Sequence, residues 1–570
     1  MPESIVRDLF LGELRADLAL PYPTLDEDQR ELLSMLRDSL GRFAADHIDP
    51  EVIDREHKVP EAVLNGLAEL GLFGLVIPEE HGGLALSSSQ YVRTCEDLYT
   101  YDGAVATLSG GHSTIGIKAL LLFGTQEQQA RYLPRLATGE LKAAFALSEP
   151  DAGSDAQSLK TTARRDGDTY VLDGNKLWIT NGGFADLFTV FARTPDHERA
   201  DGRPSISCFL VERGMGVVAG PEEDKLGIRG SSTVPLIFEG VRVPAANLVG
   251  EPGQGFKIAL QVLNAGRTGL AGGCVGASRF LLAETARYTA ERRQFGKAIG
   301  EFELIQHKLG RMAQQVHALD CMVYLTTGLA DRGMDVALEA AACKVLGTEV
   351  LWSVVNDAVQ CAGGNGFTTD YPYERMLRDA RVNMIFEGSN EILRLMIART
   401  GLREPGRRLA AGAAPVESTG HYGRRLSGAE APDPLAVPAA LQTHALALSM
   451  GVAELARGSA GLVRAASGAG GASDGGPPLN DRQLALAALA DQSIALYGQL
   501  AVLSRAVSVV EAVGEQAAEA ELLLARGAAG RLARRARESA ASLRDNDHEV
   551  LLKTAAAVTA AGGLPTTRIP

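Results

Sequence analysis

The chain has 570 residues, 46% of them hydrophobic, with a formal charge of -14 and six cysteines. That length is more than one core supports and predicts two to four domains. The acidic balance argues against nucleic-acid binding, which needs clustered Lys and Arg to neutralise phosphates, and the lack of a long uncharged apolar run reads as a globular chain rather than a spanning one.

Residues 1–20 mix acids with apolar side chains and have neither a basic n-region nor the acid-poor character of a transit peptide, so a cytoplasmic location is expected. From residue 26 to about 140 apolar residues recur at helical steps through Leu32, Leu36, Leu40 and Phe43, which predicts a helical domain over 1–142. The period then changes. Tyr170-Val171-Leu172, Leu177-Trp178-Ile179 and Leu187 to Phe191 read as short strands, with Asp173-Gly174 and Asn181-Gly182 as turns, giving a middle β domain over 143–252. Helical periodicity returns over 253–402, broken at Gly363 to Gly366 and again before Ser389. Residues 403–437 are rich in Pro, Gly, Ala and Arg and read as a linker. Pro405, Pro415, Pro432 and Pro434 there would interrupt any continuous membrane-binding amphipathic helix. A last helical domain over 438–570 places Leu486, Leu489, Leu496, Leu500 and Leu503 on one face, with Ser493 at the missing step. A loop over 467–478 interrupts it, and the Gly471-Ala472-Ser473-Asp474-Gly475 string inside that loop mimics a hydrolase nucleophile motif without the strand and helix such a motif requires. The cysteines form no CxxC pair and sit mostly in apolar surroundings such as Ala341-Ala342-Cys343, the pattern of buried reduced thiols; no metal site is expected.

The segment Ile385-Phe386-Glu387-Gly388-Ser389-Asn390-Glu391-Ile392 sets one carboxylate between an apolar strip and a glycine, where a helix can begin. A glutamate hemmed in by Ile385 and Phe386 is poorly solvated, which raises its proton affinity towards that of a working base. Two other segments carry chemistry. Ala146-Leu147-Ser148-Glu149-Pro150-Asp151-Ala152-Gly153-Ser154-Asp155 is a turn of hydroxyls, carboxylates and a glycine that can surround a polar ligand with backbone donors. Gln360-Cys361-Ala362-Gly363-Gly364-Asn365-Gly366-Phe367 is a glycine-rich stretch where backbone can pass close to something bulky. Each alone also suits an ordinary surface turn or helix end.

Together, in this order, these segments resemble the signature motifs of the acyl-CoA dehydrogenase family. Leu177 to Gly183, Leu122-Phe123-Gly124-Thr125, Gly71 to Leu75 and the extra C-terminal region, with Leu496-Tyr497 and Leu503-Ser504-Arg505-Ala506, are similar to its very-long-chain branch. The resemblance implies a mainly α fold with a central β domain: a helical domain, a β-barrel-like domain and a four-helix-bundle domain, followed by a C-terminal helical domain. It implies FAD held without a Rossmann fingerprint, a fatty acyl-CoA substrate, a homodimer, and electron-transfer flavoprotein as partner. Glu387 is the implied base for the α-proton, the β-hydride going to the flavin, with its own backbone N–H helping to polarise the thioester. Some branches carry the base just before the arginine that here is Arg267; that position is Gly266, which has no carboxylate.

The implied flavin contacts are Phe145, Leu147, Ser148, Gly153 and Ser154 in the first loop, and Trp178, Ile179 and Thr180 beside the ring. Arg292, Phe295, Gln360, Gly363 and Gly364 are implied to serve a neighbouring subunit's FAD, and Ser389 and Glu391 complete the set. Ser154, Asn264, Arg267, Phe386 and Gly388 are the implied substrate contacts. The small residues from Leu108 to Gly116 suit either a deep acyl pocket or tight helix packing, and the branch resemblance tips the expectation to long chains. The last domain is expected to cover apolar helix surface of the catalytic core. Two other readings stay open: an acyl-CoA oxidase using dioxygen, and an assembly protein without catalysis.

Overall fold

A computed structural model describes residues 3–198, 204–411, 435–467 and 478–564. The chain divides into two compact units, one formed by Met1–Glu3 with Tyr22–Leu393 and the other by Ser4–Pro21 with Arg394–Pro570.

In the larger unit the helix Glu27–His47 starts at a capping box, in which the Asp26 side chain accepts from the Gln29 N–H and the Gln29 side chain accepts from Asp26. Its buried face is Leu33, Leu36, Leu40 and Ala44, so the core stripe runs through Leu33 and Ala44 where the sequence pattern points to Leu32 and Phe43. The helix Ser88–Tyr101 has its own capping box at Ser87 and lies against the long helix Gly255–Glu291. Glycines permit that approach. A Cβ at position 272 would stand 2.3 Å from Val92, and one at 276 would stand 2.0 Å from the Glu96 carbonyl oxygen.

The middle domain is an eight-stranded sheet: β1 Ala143–Ala146, β2 Thr162–Asp166, β3 Thr169–Thr180, β4 Leu187–Glu198, β5 Pro204–Glu212, β6 Val218–Ala219, β7 Thr233–Pro244 and β8 Leu248–Val249. The order is β6-β7-β3-β2-β4-β5-β8, with β1 parallel to β4. Tyr170 to Ile179 is one long strand, not two strands and a turn: Gly174 sits at a register shift against β7, and a second shift falls between Lys176 and Ile179. Bulges re-aim side chains, and the second one turns Trp178. Asn181, at φ 65, makes the expected turn after β3.

Behind the sheet, Glu303–Asp331 and Ala337–Ala362 pack on Gly255–Glu291. Ala337–Ala362 ends where Gly363 adopts φ 61, as the glycine-rich string predicts.

The smaller unit is built on Gln442–Ser467, Gln483–Val513 and Glu519–Ala541. The five leucines predicted on one face of Gln483–Val513 are all buried, and Ser493 satisfies its hydroxyl on the Ala490 carbonyl. Asp491 accepts from both Arg394 and Arg535. Residues 4–21 belong to this unit and not to the N-terminal helical domain: Ile5, Val6, Leu9 and Phe10 are buried, Phe10 lies over Gly401, and Ser504 donates to the Ala19 carbonyl. The stretch Ala439–Ala466 and the helix Gln483–Val513 are long and apolar enough to cross a membrane by length and composition, but 78% of the apolar window of the latter is buried in protein, as in a core helix. The predicted linker starts with a helix, Arg403–Ala410, whose first turn tolerates Pro405. Pro415, Pro432 and Pro434 and the Gly471 to Gly475 string lie outside the described residues. All six cysteines are free and buried.

Candidate functional site

The helix Tyr373–Val382 stops in a tight turn because Ile385 and Phe386 both donate their N–H to the Val382 carbonyl, while Asn390 N–H returns to Met384 and opens the helix Asn390–Gly401. Within the turn Glu387 has φ 55 and Gly388 φ 92. Glycine takes that conformation freely; a glutamate there costs about 1–2 kcal/mol and marks a position the surroundings must enforce. Two cations enforce it. Arg267 Nε donates to the Glu387 carbonyl at 3.2 Å, and Lys344 Nζ donates to the next carbonyl, Gly388, at 2.8 Å.

The Glu387 carboxylate rests on Gly266, where a Cβ would stand 2.7 to 2.8 Å from its oxygens. Its Oε2 is shielded from solvent and meets no hydrogen-bond donor among the described residues. Burial pushes Glu387 up to about 7, against the opposing charges of Arg267 and Lys344. A carboxylate in that state can take a proton from an adjacent carbon acid and hold it out of water. The shielding does not come from Ile385, which is 55% exposed. On the far side Tyr91 and Cys95 gather with Thr114 around Gly269, one helical turn beyond Gly266. Arg267 is itself fixed by Asn264 Oδ1 at 2.9 Å. Glu387, Gly388, Asn264 and Arg267 therefore form one cluster, with Phe386 and Ser389 half-buried in the same turn and Glu391 exposed beyond it.

The first loop is held by a buried ion pair that sequence reasoning missed. Lys176 Nζ reaches Glu149 Oε1 at 2.8 Å and the Leu147 carbonyl at 3.2 Å, and Glu149 accepts from the N–H groups of Lys160 and Thr161. Glu149 lies within the loop motif; nothing local marks Lys176, on a strand, as its partner. Leu177 N–H to the Ser148 carbonyl then ties the loop to Trp178. Phe145, Leu147 and Ile179 are buried beneath, Ser148 and Thr180 are half-buried, and Gly153 and Ser154 are exposed. Trp178 is not a core residue: it has φ 57 and is 59% exposed, an indole turned outwards beside a loop of hydroxyls. Thr180 and Asn181 touch Gly111, whose π-helical segment Gly111–Gly116 also carries Thr114 to the Glu387 cluster. Gly111 and Gly116 are close-packing positions, since a Cβ on either would stand within 3.0 Å of neighbouring atoms.

The third group stays apart. Arg292, Phe295, Gln360, Gly363 and Gly364 are exposed, joined at the end of Gly255–Glu291 by Tyr288, which donates to Ala362 O and accepts from Asn365. Gly266 and Arg292 are 26 positions apart on one helix, about 39 Å at 1.5 Å per residue. One chain cannot bring both ends to one small cofactor.

Comparison with known proteins follows the same division. Residues 30–140, 144–241 and 253–402 match the N-terminal, middle and C-terminal domains of acyl-CoA dehydrogenase. The very long-chain specific acyl-CoA dehydrogenase, mitochondrial, of Macaca fascicularis is 44% identical over 409 residues, 70% of this chain; the match spans 62% of that relative's length. An acyl-CoA dehydrogenase of Bacillus subtilis is 39% identical over 64% of this chain and 96% of its own length. Among solved structures, an acyl-CoA dehydrogenase from Bacillus anthracis complexed with FAD superposes with a TM-score of 0.81 at 31% identity, covering 98% of this chain and 96% of that one. Butyryl-CoA dehydrogenase from Megasphaera elsdenii gives 0.63 at 34% identity over 67% of this chain and 99% of its own.

Proposed function

The chain belongs to the acyl-CoA dehydrogenase family, and we propose that it is an FAD-dependent dehydrogenase that converts a long-chain fatty acyl-CoA to its trans-2-enoyl-CoA. The carrying observation is Glu387, a carboxylate of raised proton affinity with one shielded, unpartnered oxygen, seated on a side-chain-free position and aimed by two cations.

The residues fit the cofactor. Trp178 offers an uncovered aromatic face, and Ser148 and Ser154 flank it with hydroxyls and N–H groups suited to a flavin edge. When bound, FAD supplies the acceptor for the two electrons that leave the β-carbon. The chain's own residues do the rest. Glu387 takes the α-proton at its carboxylate, and its backbone N–H is the donor available where charge develops on the thioester oxygen. Arg267 and Asn264 hold the turn in place, and Tyr91 and Cys95 keep the far side of the carboxylate dry.

Arg292, Phe295, Gln360, Gly363 and Gly364 are assigned to the FAD of a second subunit in a homodimer, supported by their separation from Glu387 along the helix. Electron-transfer flavoprotein is the proposed acceptor. A cytoplasmic location accords with six buried free thiols. The test is turnover of a graded acyl-CoA series by purified flavin-loaded protein with an artificial acceptor, with peroxide measured in its absence. Peroxide formation at the rate of acceptor-supported turnover would assign an oxidase instead.

A further inference from the structure

Lys344 lies two turns into Ala337–Ala362 with no exposed surface. A lysine ammonium taken out of water costs several kcal/mol unless its donors are used. Here two are: one to Gly388 O and one to Asn390 Oδ1, both at 2.8 Å. Asn390 is in turn fixed by Thr348, whose hydroxyl accepts from Asn390 Nδ2 at 3.0 Å. The lysine therefore grips both the turn that carries Glu387 and the first residue of the helix after it. With Arg267 on the preceding carbonyl, the peptide plane between the two left-handed residues and the plane that follows them are each held by a buried cation.

The surroundings leave Glu387 as the acid that balances this charge. Arg267 and Cys274 face Lys344 from Gly255–Glu291, and Glu391 faces it from Asn390–Gly401. Tyr91, Cys95 and Tyr99 face Glu387 from Ser88–Tyr101, and each is shifted upwards, chiefly by its own burial. Burial draws Lys344 down to about 8 and Glu387 up to about 7, and each shift is held back in part by the other's charge.

We infer that Lys344 is a positioning residue for the base: it holds the Gly388 carbonyl so that the turn aims Glu387, and its charge sets how readily Glu387 takes a proton. This rests on Glu387 being the base. Removing the charge removes a stabilising partner of the carboxylate, so the proton affinity of Glu387 must rise.

The test uses the flavin-loaded full chain with Lys344→Met, Lys344→Gln and Lys344→Arg. Two quantities are followed against pH: kcat/KM, and the protonated-carboxyl infrared band of Glu387, identified by its loss in Glu387→Gln. Expected for Met and Gln is an upward move of both acid-limb and infrared midpoints by about one pH unit, the equivalent of a tenfold change in the protonation equilibrium. Gln keeps a donor for Gly388 O and separates charge from hydrogen bonding, and it serves as the uncharged variant should Met not fold. Arg is expected to leave both midpoints near their wild-type values. Unmoved midpoints in the folded uncharged variants would overturn the inference. The infrared titration needs no turnover, so a protein inactive on every acyl-CoA tested would count against the proposed function while still deciding the role of Lys344.

Discussion

Gly266 and Glu387 are matched across the site: a Cβ on the first would stand 2.7 Å from Oε1 and 2.8 Å from Oε2 of the second. The obstructed atoms are the far end of a flexible side chain and not backbone, so the conflict is relieved by moving the carboxylate. Gly266→Ala is expected to leave the melting temperature within about 2 °C, because alanine favours a helix interior, while kcat falls at least tenfold through misplacement of the base. A Gly266→Ala enzyme with wild-type kcat would show that the seat is not used.

The same burial that prepares Glu387 for chemistry makes it a burden on the fold. Its folded pKa of about 7 lies above the ordinary glutamate value of 4.5, so its protonated form is the better accommodated one. The favourable contribution is full below the unfolded pKa and is lost as pH rises through about 7. Glu387→Gln should therefore unfold at higher denaturant than wild type at pH 8, by on the order of 1–3 kcal/mol, and show a smaller difference at pH 5. Denaturant titrations at the two pH values check this; a variant less stable than wild type at pH 8 would contradict it.

Arg292→Ala addresses assembly. Because Arg292 is exposed and about 39 Å along its helix from Gly266, its loss should weaken FAD retention without unfolding the chain. Flavin content after gel filtration and mass by light scattering report this. Fully flavinated, active monomers of the wild-type chain would sink the dimer assignment.

Tyr99 bears on chain length. Its ring occupies the space Gly273 leaves open, and Tyr99 also lines a cavity of about 30 Å³ with Asp102, Ala277, Arg375 and Asp379. Tyr99→Ala should open that space towards Glu387 and shift the acyl-CoA profile to longer chains, with Tyr99→Phe unchanged. An identical profile in Tyr99→Ala would remove Tyr99 as a limit.

In the smaller unit Phe10 is 1% exposed and covers Gly401. Phe10→Ala should cost about 3–5 kcal/mol and make the helices of that unit susceptible to protease. An unchanged digestion pattern would show residues 4–21 to be an appendage.

Much of this site was legible in the chain. The break before Ser389 announced a helix start, the Ala146 to Asp155 string a turn, and Gly363 a helix end, because each depends on residues adjacent in sequence. What stayed hidden depends on distant partners. Lys176 and Lys344 read as ordinary lysines until Glu149 and the Gly388 carbonyl fold onto them. The outward turn of Trp178 was hidden as well, because alternation assumes an even ladder and the bulge before Ile179 breaks it. Residues 4–21 carried no signal of belonging to the unit formed by residues 394–570, since only folding brings Phe10 to Gly401.

The central claim is that Glu387 removes the α-proton, and anaerobic mixing of flavin-loaded protein with its best acyl-CoA tests it most directly. Wild type and Glu387→Gln would be compared at pH 8, following flavin absorbance in a single turnover. The account predicts rapid bleaching in wild type and a rate at least about a thousandfold lower in the variant, with acyl-CoA still bound. Bleaching of Glu387→Gln at a rate close to wild type would contradict it.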